Sequence, residues 1–328
     1  LRELRERNAK FKDGVAVGMK RLRFPLIVFG ASIAVWLALC AAIGVLAAEG
    51  ALHPPRLALD ASRDQSAAKI AEENHADLRE VEIAASDGAK LRGWSIRPAT
   101  GNGDAVILLH GVGDNRAGML GPADILLRHG YAVLLPDARA HGMSGGAIAT
   151  YGVLEADDIR RWFEWLRGDH ALHCIDGIGD SMGAAELLRS LDAERGFCAV
   201  VGEGPFASFR EAAYDRLGQQ FSTGPWLGRT LLRPAFTVGM EYARLRYGVD
   251  LRDAAPEKSV AETSVPVLLI HGLADTNLPP RHSEMMKAAV PAVVRWEPAG
   301  AEHCGASTAA PAEYERRVVG WFASHDSR

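Results

Sequence analysis

A serine, an aspartate and a histidine, in that chain order, are the residues of this sequence best placed to do chemistry together. Ser181 sits in Gly179-Asp180-Ser181-Met182-Gly183, between a short strand-like run, His173 to Ile178, and a helix-forming run, Ala184 to Arg189. A G-x-S-x-G stretch in that setting meets the requirement of a nucleophile elbow. Glycine on each side lets the backbone fold tightly around a strained serine. The hydroxyl then stands at a helix N-terminus, where aligned N–H groups favour developing negative charge. A serine hydroxyl is a poor nucleophile until a base takes its proton, and the base needs an acid to hold its tautomer. Asp275 lies in the loop His271 to Pro279, after the apolar run Val265 to Ile270. His303 lies in the small-residue loop Glu297 to Gly305, after the strand candidate Ala292 to Trp296. The chemistry such a set supports is two-step acyl transfer, with the backbone N–H groups of Val112 and Met182 as the expected oxyanion donors.

These residues need a sheet to hold them. Ala105 to Leu109 is a fully apolar strand running into His110-Gly111-Val112-Gly113-Asp114-Asn115-Arg116, and Tyr131 to Leu135 runs into Pro136 to Gly146. Glu80 to Ile83 and Leu91 to Ile96 flank the turn Ser86-Asp87-Gly88, as a hairpin does. Ile159, Trp162, Phe163 and Leu166 fall at i, i+3, i+4 and i+7, the stripe of a helix packed on a sheet. Alternating strands and helices imply a mostly parallel sheet covered on both faces. His110 and His141 are expected to orient loops, Asp137 and Arg139 to fix a loop as an ion pair, and Asn115 to cap a helix. About sixty residues separate the strand Phe197 to Gly202 from Val265, where one crossover helix needs roughly a dozen. The extra segment, about residues 204–262, is expected to form a helical cap over the serine. Its aromatics, Phe206, Phe209, Tyr214, Phe221, Trp226, Phe236, Tyr242 and Tyr247, either line an acyl or aryl pocket or form the cap's own core.

The His-Gly turn, the D-x-R-x-H-G-x-S segment from Asp137 to Ser144, the elbow, the Asp275 loop and the His303 loop together resemble the α/β-hydrolase superfamily. The likeness is to its esterase-like members and covers roughly residues 80 to 325, with five motifs in the expected order. It implies an α/β-hydrolase fold: a mostly parallel, eight-stranded sheet with helices on both faces and a helical cap insertion. It also implies a serine hydrolase with Ser181 as nucleophile, His303 as base and Asp275 as acid. Carboxylic ester hydrolysis is the reading taken. A peptidase or amidase, a thioesterase, an acyltransferase, or a binding protein that kept the fold would use the same parts, and the substrate is not named by these motifs.

The chain of 328 residues, 48% apolar, is large enough for one substantial domain with extras. A net charge of -4, with no basic face outside the N-terminus, argues against a nucleic-acid partner. Cys40, Cys174, Cys198 and Cys304 show no metal-like spacing, and a Cys174–Cys198 disulfide is left open. No metal is needed, and no cofactor is expected, because the glycine-rich stretches lack the dinucleotide fingerprint. Residues 24–48 carry no charge and would span about 37 Å as a helix, enough for one transmembrane helix. Arg2, Arg5, Arg7, Lys10, Lys12, Lys20, Arg21 and Arg23 precede it, against Glu3, Glu6 and Asp13. Segment 1–23 is therefore expected in the cytoplasm and the hydrolase outside it. The alternative is a signal peptide cleaved after Val45-Leu46-Ala47, giving a secreted or periplasmic protein. Residues 49–78 read as a connector, its polar part an amphipathic helix or a mobile tether, and 79–328 as the hydrolase domain. The partners expected are a small-molecule or lipid-like ester and the membrane; the oligomeric state stays open.

Overall fold

The computed structural model describes residues 2–168 and 172–326; for residues 4–6 and 8–25 it describes the backbone alone. The side chains of Arg5, Lys10, Lys12, Lys20, Arg21 and Arg23 thus lie outside the described residues. The chain begins with one long helix, α1 (Arg2–Leu52), followed by α2 (Ala61–Glu73). Strands β1 (Ala76–Ala84), β2 (Lys90–Pro98) and β3 (Ala105–Leu109) come next, then α3 (Leu120–Arg128) and β4 (Ala132–Pro136). Helix α4 (Glu155–Arg167), strand β5 (Ile175–Asp180), helix α5 (Met182–Ser190) and strand β6 (Val200–Glu203) complete the first half of the sheet. Helices α6 (Phe209–Gln219), α7 (Trp226–Arg229), α8 (Arg233–Tyr247) and α9 (Pro256–Glu262) fill the interval before β7 (Val267–Ile270). The chain closes with α10 (Arg281–Ala289), β8 (Val294–Trp296), α11 (Ala306–Ala309) and α12 (Pro311–Ser324).

The eight strands form one sheet in the order β1-β2-β4-β3-β5-β6-β7-β8. β1 and β2 pair antiparallel, β2 pairs antiparallel with β4, and every other neighbour is parallel. Strands buried on both faces read as unbroken apolar runs, and β3, Ala-Val-Ile-Leu-Leu, is buried at all five positions. Its alternating residues feed two cores. Ile107 and Leu109 pack with Trp162, Phe163 and Leu187 on one face. Val106 and Leu108 pack with Leu126, Tyr314 and Phe322 on the other. The α4 stripe Ile159, Trp162, Phe163 and Leu166 is buried as its spacing predicts. This is the α/β-hydrolase fold.

Asp60 caps α2 by accepting the N–H groups of Ser62 and Arg63, and Ala67 and Ala71 bury that helix on the sheet. Of the two readings left open for the polar stretch, the structure has the helix. Cys174 and Cys198 are joined by a disulfide with Cα atoms 5.8 Å apart, tying the approach to β5 to the approach to β6.

Helix α1 is docked, not loose, over its last three turns. Cys40, Gly44, Ala48 and Leu52 are buried at every fourth residue, on the face that meets α8. The two backbones touch at glycines: a Cβ on Gly44 would lie 2.2 Å from the Ala235 carbonyl oxygen, and one on Gly239 would lie 2.8 Å from that of Gly44. Small residues four apart on both helices allow this approach. Tyr242 and Tyr247 donate to the Glu49 carboxylate, and the Tyr151 hydroxyl donates to the Ala51 carbonyl at 2.8 Å. From residue 26 to residue 39, by contrast, every residue of α1 is exposed. The stretch Leu26–Leu52 is long and apolar enough to cross a membrane.

Candidate active site

The C-terminal ends of the parallel strands carry the polar residues, as open α/β sheets arrange their ligand sites. β5 ends at Asp180 and α5 starts at Met182, leaving Ser181 alone in the turn at φ 53° and ψ -109°. That left-handed conformation costs on the order of 1–3 kcal/mol for a residue with a Cβ. The Ser181 N–H donates to the Glu203 carbonyl at 2.8 Å and pins the turn to β6. Both flanking glycines are sterically required. A Cβ on Gly179 would lie 2.5 Å from the Gly183 carbonyl carbon, and one on Gly183 would lie 2.3 Å from the Leu109 carbonyl oxygen.

The structure brings Ser181, His303 and Asp275 into one hydrogen-bonded line. His303 Nε2 stands 2.7 Å from Ser181 Oγ, and His303 Nδ1 stands 2.7 Å from Asp275 Oδ2. The acceptor on one side and the hydroxyl on the other assign the Nδ1–H tautomer, which leaves Nε2 free to accept. Asp275 is itself held: Oδ1 accepts the N–H groups of Asn277 at 2.8 Å and Leu278 at 2.9 Å. His271, fully buried, stands 3.4 Å from Oδ2 and donates Nε2–H to the Leu278 carbonyl. Burial pushes the Asp275 carboxyl up. Hydrogen bonds from His271 and His303, the His303 charge and the Leu278 N–H outweigh it and hold the group well below the usual carboxylate range.

Val112 and Met182 line the same cavity as Ser181. Met182 is the first residue of α5, so its N–H has no carbonyl one turn back to bond. His110 and His141 stay out of the line. His110 Nδ1–H donates to the Gly111 carbonyl and Nε2 accepts the Ala138 N–H, so a neutral imidazole staples the two loops. Burial, reinforced by His141, brings its pKa down to about 4 against the Gly111 hydrogen bond. Asp137 and Arg139 do not pair with each other, contrary to expectation. Asp137 accepts from the Arg116 N–H, its guanidinium and the Met143 N–H, while Arg139 forks onto Asp158 and reaches Asp87. Both residues lie in the loop beyond the end of β4, where strand alternation no longer sets side-chain direction, and each takes a partner from a different element. Asn115 caps the short helix at Arg116 by accepting the Ala117 N–H.

Two buried carboxylates lie directly beneath the line. Glu203 accepts the Ala306 N–H at 2.8 Å, and burial pushes its pKa up to about 7 against that bond and the nearby His303 and His271. Burial and the Glu203 charge raise Asp180 as well. The Cys304 thiol, next to the base, is raised by burial and donates to the Glu203 carbonyl, so it is a quiet group.

Ser181 opens into a cavity of about 330 Å³, within the range of small-molecule sites. The cap aromatics divide. Phe206, Phe209 and Phe236 line the cavity; Tyr214 is buried against Phe236; Phe221 and Trp226 are exposed; Tyr242 and Tyr247 bind Glu49. Arg216 is the one cation in the lining, and no acid lies within ion-pair distance of it among the described residues. The largest surprise is α1, whose Ile43, Ala47 and Ala51 form a wall of this cavity. Their i, i+4, i+8 spacing was present in the sequence, but in a segment apolar on every face it marked no particular side.

Residues 102–231 match the model of a family described as serine aminopeptidase, S33. The uncharacterized protein YqkD of Bacillus subtilis is 28% identical over 207 residues, 62% of this chain and 65% of that protein. The uncharacterized protein YfhR of Escherichia coli K12 is 27% identical over 214 residues, 63% of this chain and 66% of that protein. The chain thus spans just under two thirds of the length of these relatives. Among solved structures, the Pyrococcus furiosus esterase Pf2001 superposes with a TM-score of 0.63 at 25% identity, over 83% of this chain and 97% of that one. Fold and comparisons agree on the architecture: the chain has an α/β-hydrolase fold, similar to that of this esterase.

Proposed function

We propose that this protein is a membrane-tethered serine hydrolase that cleaves carboxylic esters through an acyl-enzyme. The observation that carries the reading is the unbroken Ser181–His303–Asp275 line at the base of an apolar cavity. His303 takes the Ser181 proton as Oγ bonds to the substrate carbonyl carbon, and the N–H groups of Val112 and Met182 receive the oxyanion. The tetrahedral intermediate collapses, the carbon–oxygen bond to the alcohol breaks, and the alcohol leaves with the proton from His303. Water then gives its proton to His303 and attacks the acyl-serine, releasing a carboxylic acid and restoring Ser181.

α1 is the tether, with its N-terminus in the cytoplasm and the hydrolase outside. The Cys174–Cys198 disulfide supports that side, since disulfides persist in oxidising compartments. Retention of α1 is favoured over cleavage after Ala47, because cleavage would remove Gly44 from the α8 contact and Ile43 from the cavity wall. The test is fluorophosphonate labelling of the full chain beside Ser181→Ala and His303→Ala, with p-nitrophenyl ester turnover. Loss of both signals in both variants is the expected result. A folded wild-type protein that neither labels nor turns over any ester, amide or thioester would overturn the reading.

A further inference from the structure

Helix α1 joins two features that the tether alone does not explain: it walls the catalytic cavity, and its exposed part is too short to cross a bilayer by itself. From the start of the uncharged run at Phe24 to the end of the exposed stretch Leu26 to Leu39 there are 16 residues. Those residues rise about 24 Å as a helix, whereas the hydrocarbon core is about 30 Å thick. The missing ~6 Å equals about four residues, and tilt would enlarge the gap. With Phe24 taken as the inner edge, a hydrocarbon core of about 30 Å would reach Ile43, a residue that lines the Ser181 cavity.

The cap is built for that depth. The Cys40 thiol donates to the Leu231 carbonyl, so the N-terminal end of α8 and the α7 turn sit at the level where α1 leaves the protein body. Large apolar side chains are exposed there: Trp226 at 57% and Leu231 at 53%, with Phe221 at 64% between α6 and α7. Aromatic and aliphatic groups of this kind belong at a membrane interface. α8 runs parallel to α1, with Ala235 and Gly239 at Gly44 and Tyr242 at Glu49, so its far end points away from the bilayer.

We propose that the cap end around Trp226 and Leu231 is seated in the outer interface, and that the substrate is a membrane-resident acyl ester whose chain enters the Ser181 cavity from the bilayer along Ile43, Ala47 and Ala51 of α1. The tether thereby selects the acyl chain as well as holding the enzyme. This rests on the serine esterase and anchor reading above. An acyl chain already in the bilayer passes from one apolar surroundings to another and need not cross water. Ile43, Ala47 and Ala51 then set chain length, and only carbonyl and alcohol ends require polar partners.

The experiment uses the full chain in phosphatidylcholine vesicles carrying a dilute p-nitrophenyl dodecanoate, with water-soluble p-nitrophenyl acetate in parallel. At fixed bulk substrate, adding vesicle lipid lowers the surface fraction of the dodecanoate, and its rate should fall in proportion. A rate that follows bulk concentration would overturn entry from the bilayer. Ala47→Trp should cut the dodecanoate-to-acetate kcat/KM ratio at least tenfold, and Ile43→Ala should move it the other way. Leu46→Trp, on the outward face at 71% exposure, should leave the ratio as it is. Equal ratios in all four proteins would refute α1 as a chain-selecting wall. Shallow brominated lipids should quench wild type more than Trp226→Phe, and equal quenching would lift the cap off the membrane. Fluorophosphonate labelling of each variant reports Ser181 separately, and sedimentation with vesicles reports the anchor, so failure of the underlying reading shows itself in those two controls.

Discussion

Replacing Asp275 by Asn tests the proposed catalytic line at its most constrained point. Oδ1 of Asp275 accepts two backbone N–H groups, those of Asn277 and Leu278. In Asp275→Asn the amide oxygen must stay there, because the flipped orientation would set an NH2 against two donors. Leaving buried donors unpaired costs about 1–3 kcal/mol each. The NH2 group then faces His303 Nδ1, 2.7 Å from the original Oδ2. A donor there forces Nδ1 to become the acceptor and moves the imidazole proton to Nε2. Nε2–H faces Ser181 and can no longer take its proton. Loss of the correct tautomer is worth about 10³–10⁴ in kcat, or roughly 4–5.5 kcal/mol of barrier. The assay is kcat for p-nitrophenyl butyrate, with fluorophosphonate labelling rate as a second readout and a thermal melt to establish folding. Partial recovery at high pH is expected, where hydroxide substitutes for the base. A folded Asn variant within tenfold of wild type at neutral pH would refute this reasoning, and with it the role given to Asp275.

Three further outcomes follow from groups around the site. Glu203 titrates near 7 in the folded protein against an ordinary 4.5, so its protonated form favours the fold below pH 4.5 and that contribution is lost as pH rises through about 7. Glu203→Gln keeps an acceptor for the Ala306 N–H and removes the ionisation, so its melting temperature should gain on wild type between pH 5 and pH 8; a constant gap would count against a raised Glu203. Arg216→Met should raise KM about tenfold for esters bearing an anionic group on the alcohol, the worth of one charge-assisted hydrogen bond, while esters with a neutral alcohol serve as the internal reference; equal effects on both would remove Arg216 as an anion contact. Alkylation of the unfolded, unreduced chain should modify Cys40 and Cys304 alone, and reduction should expose Cys174 and Cys198 and lower stability by about 3 kcal/mol for a loop of 24 residues; four reactive thiols before reduction would show that the bond does not form.

What the sequence made legible was whatever local chemistry determines. β3 was readable to the residue because a strand buried on both faces is an unbroken apolar run, bounded here by Asp104 and by His110-Gly111. The elbow was readable because backbone clearance fixes glycine at 179 and 183. The positions of Asp275 and His303 in their loops were readable from the strands before them, and the structure sets the two side chains 2.7 Å apart. Partner choice at longer range was not. Asp137 and Arg139 are two residues apart, yet their partners, Arg116 and Asp158, come from different elements on either side of the sheet. The Glu203 carboxylate under the site gave no signal either, since a lone acid at a strand end reads as a surface charge until the sheet is assembled above it.

The helix α1 shows the limit most clearly. Hydropathy averages over all faces of a helix, so a segment with one exposed apolar face, one toward α8 and one toward a cavity reads as uniformly apolar. The distribution of side-chain size carries the missing information. Gly44 and Ala48 are small because a helix backbone lies against them, and Ala47 and Ala51 are small because the cavity takes its volume there. Leu39 and Leu46, facing outward, are free to be large. A simple membrane anchor would need no such division, since any apolar residue of any size would do. It is the pattern of a helix that fits the protein on two sides while its third, apolar face stays exposed. If the anchor and the acyl site are one element, then shortening α1 or exchanging it for an unrelated membrane helix should alter which esters the enzyme accepts, and not merely where it works.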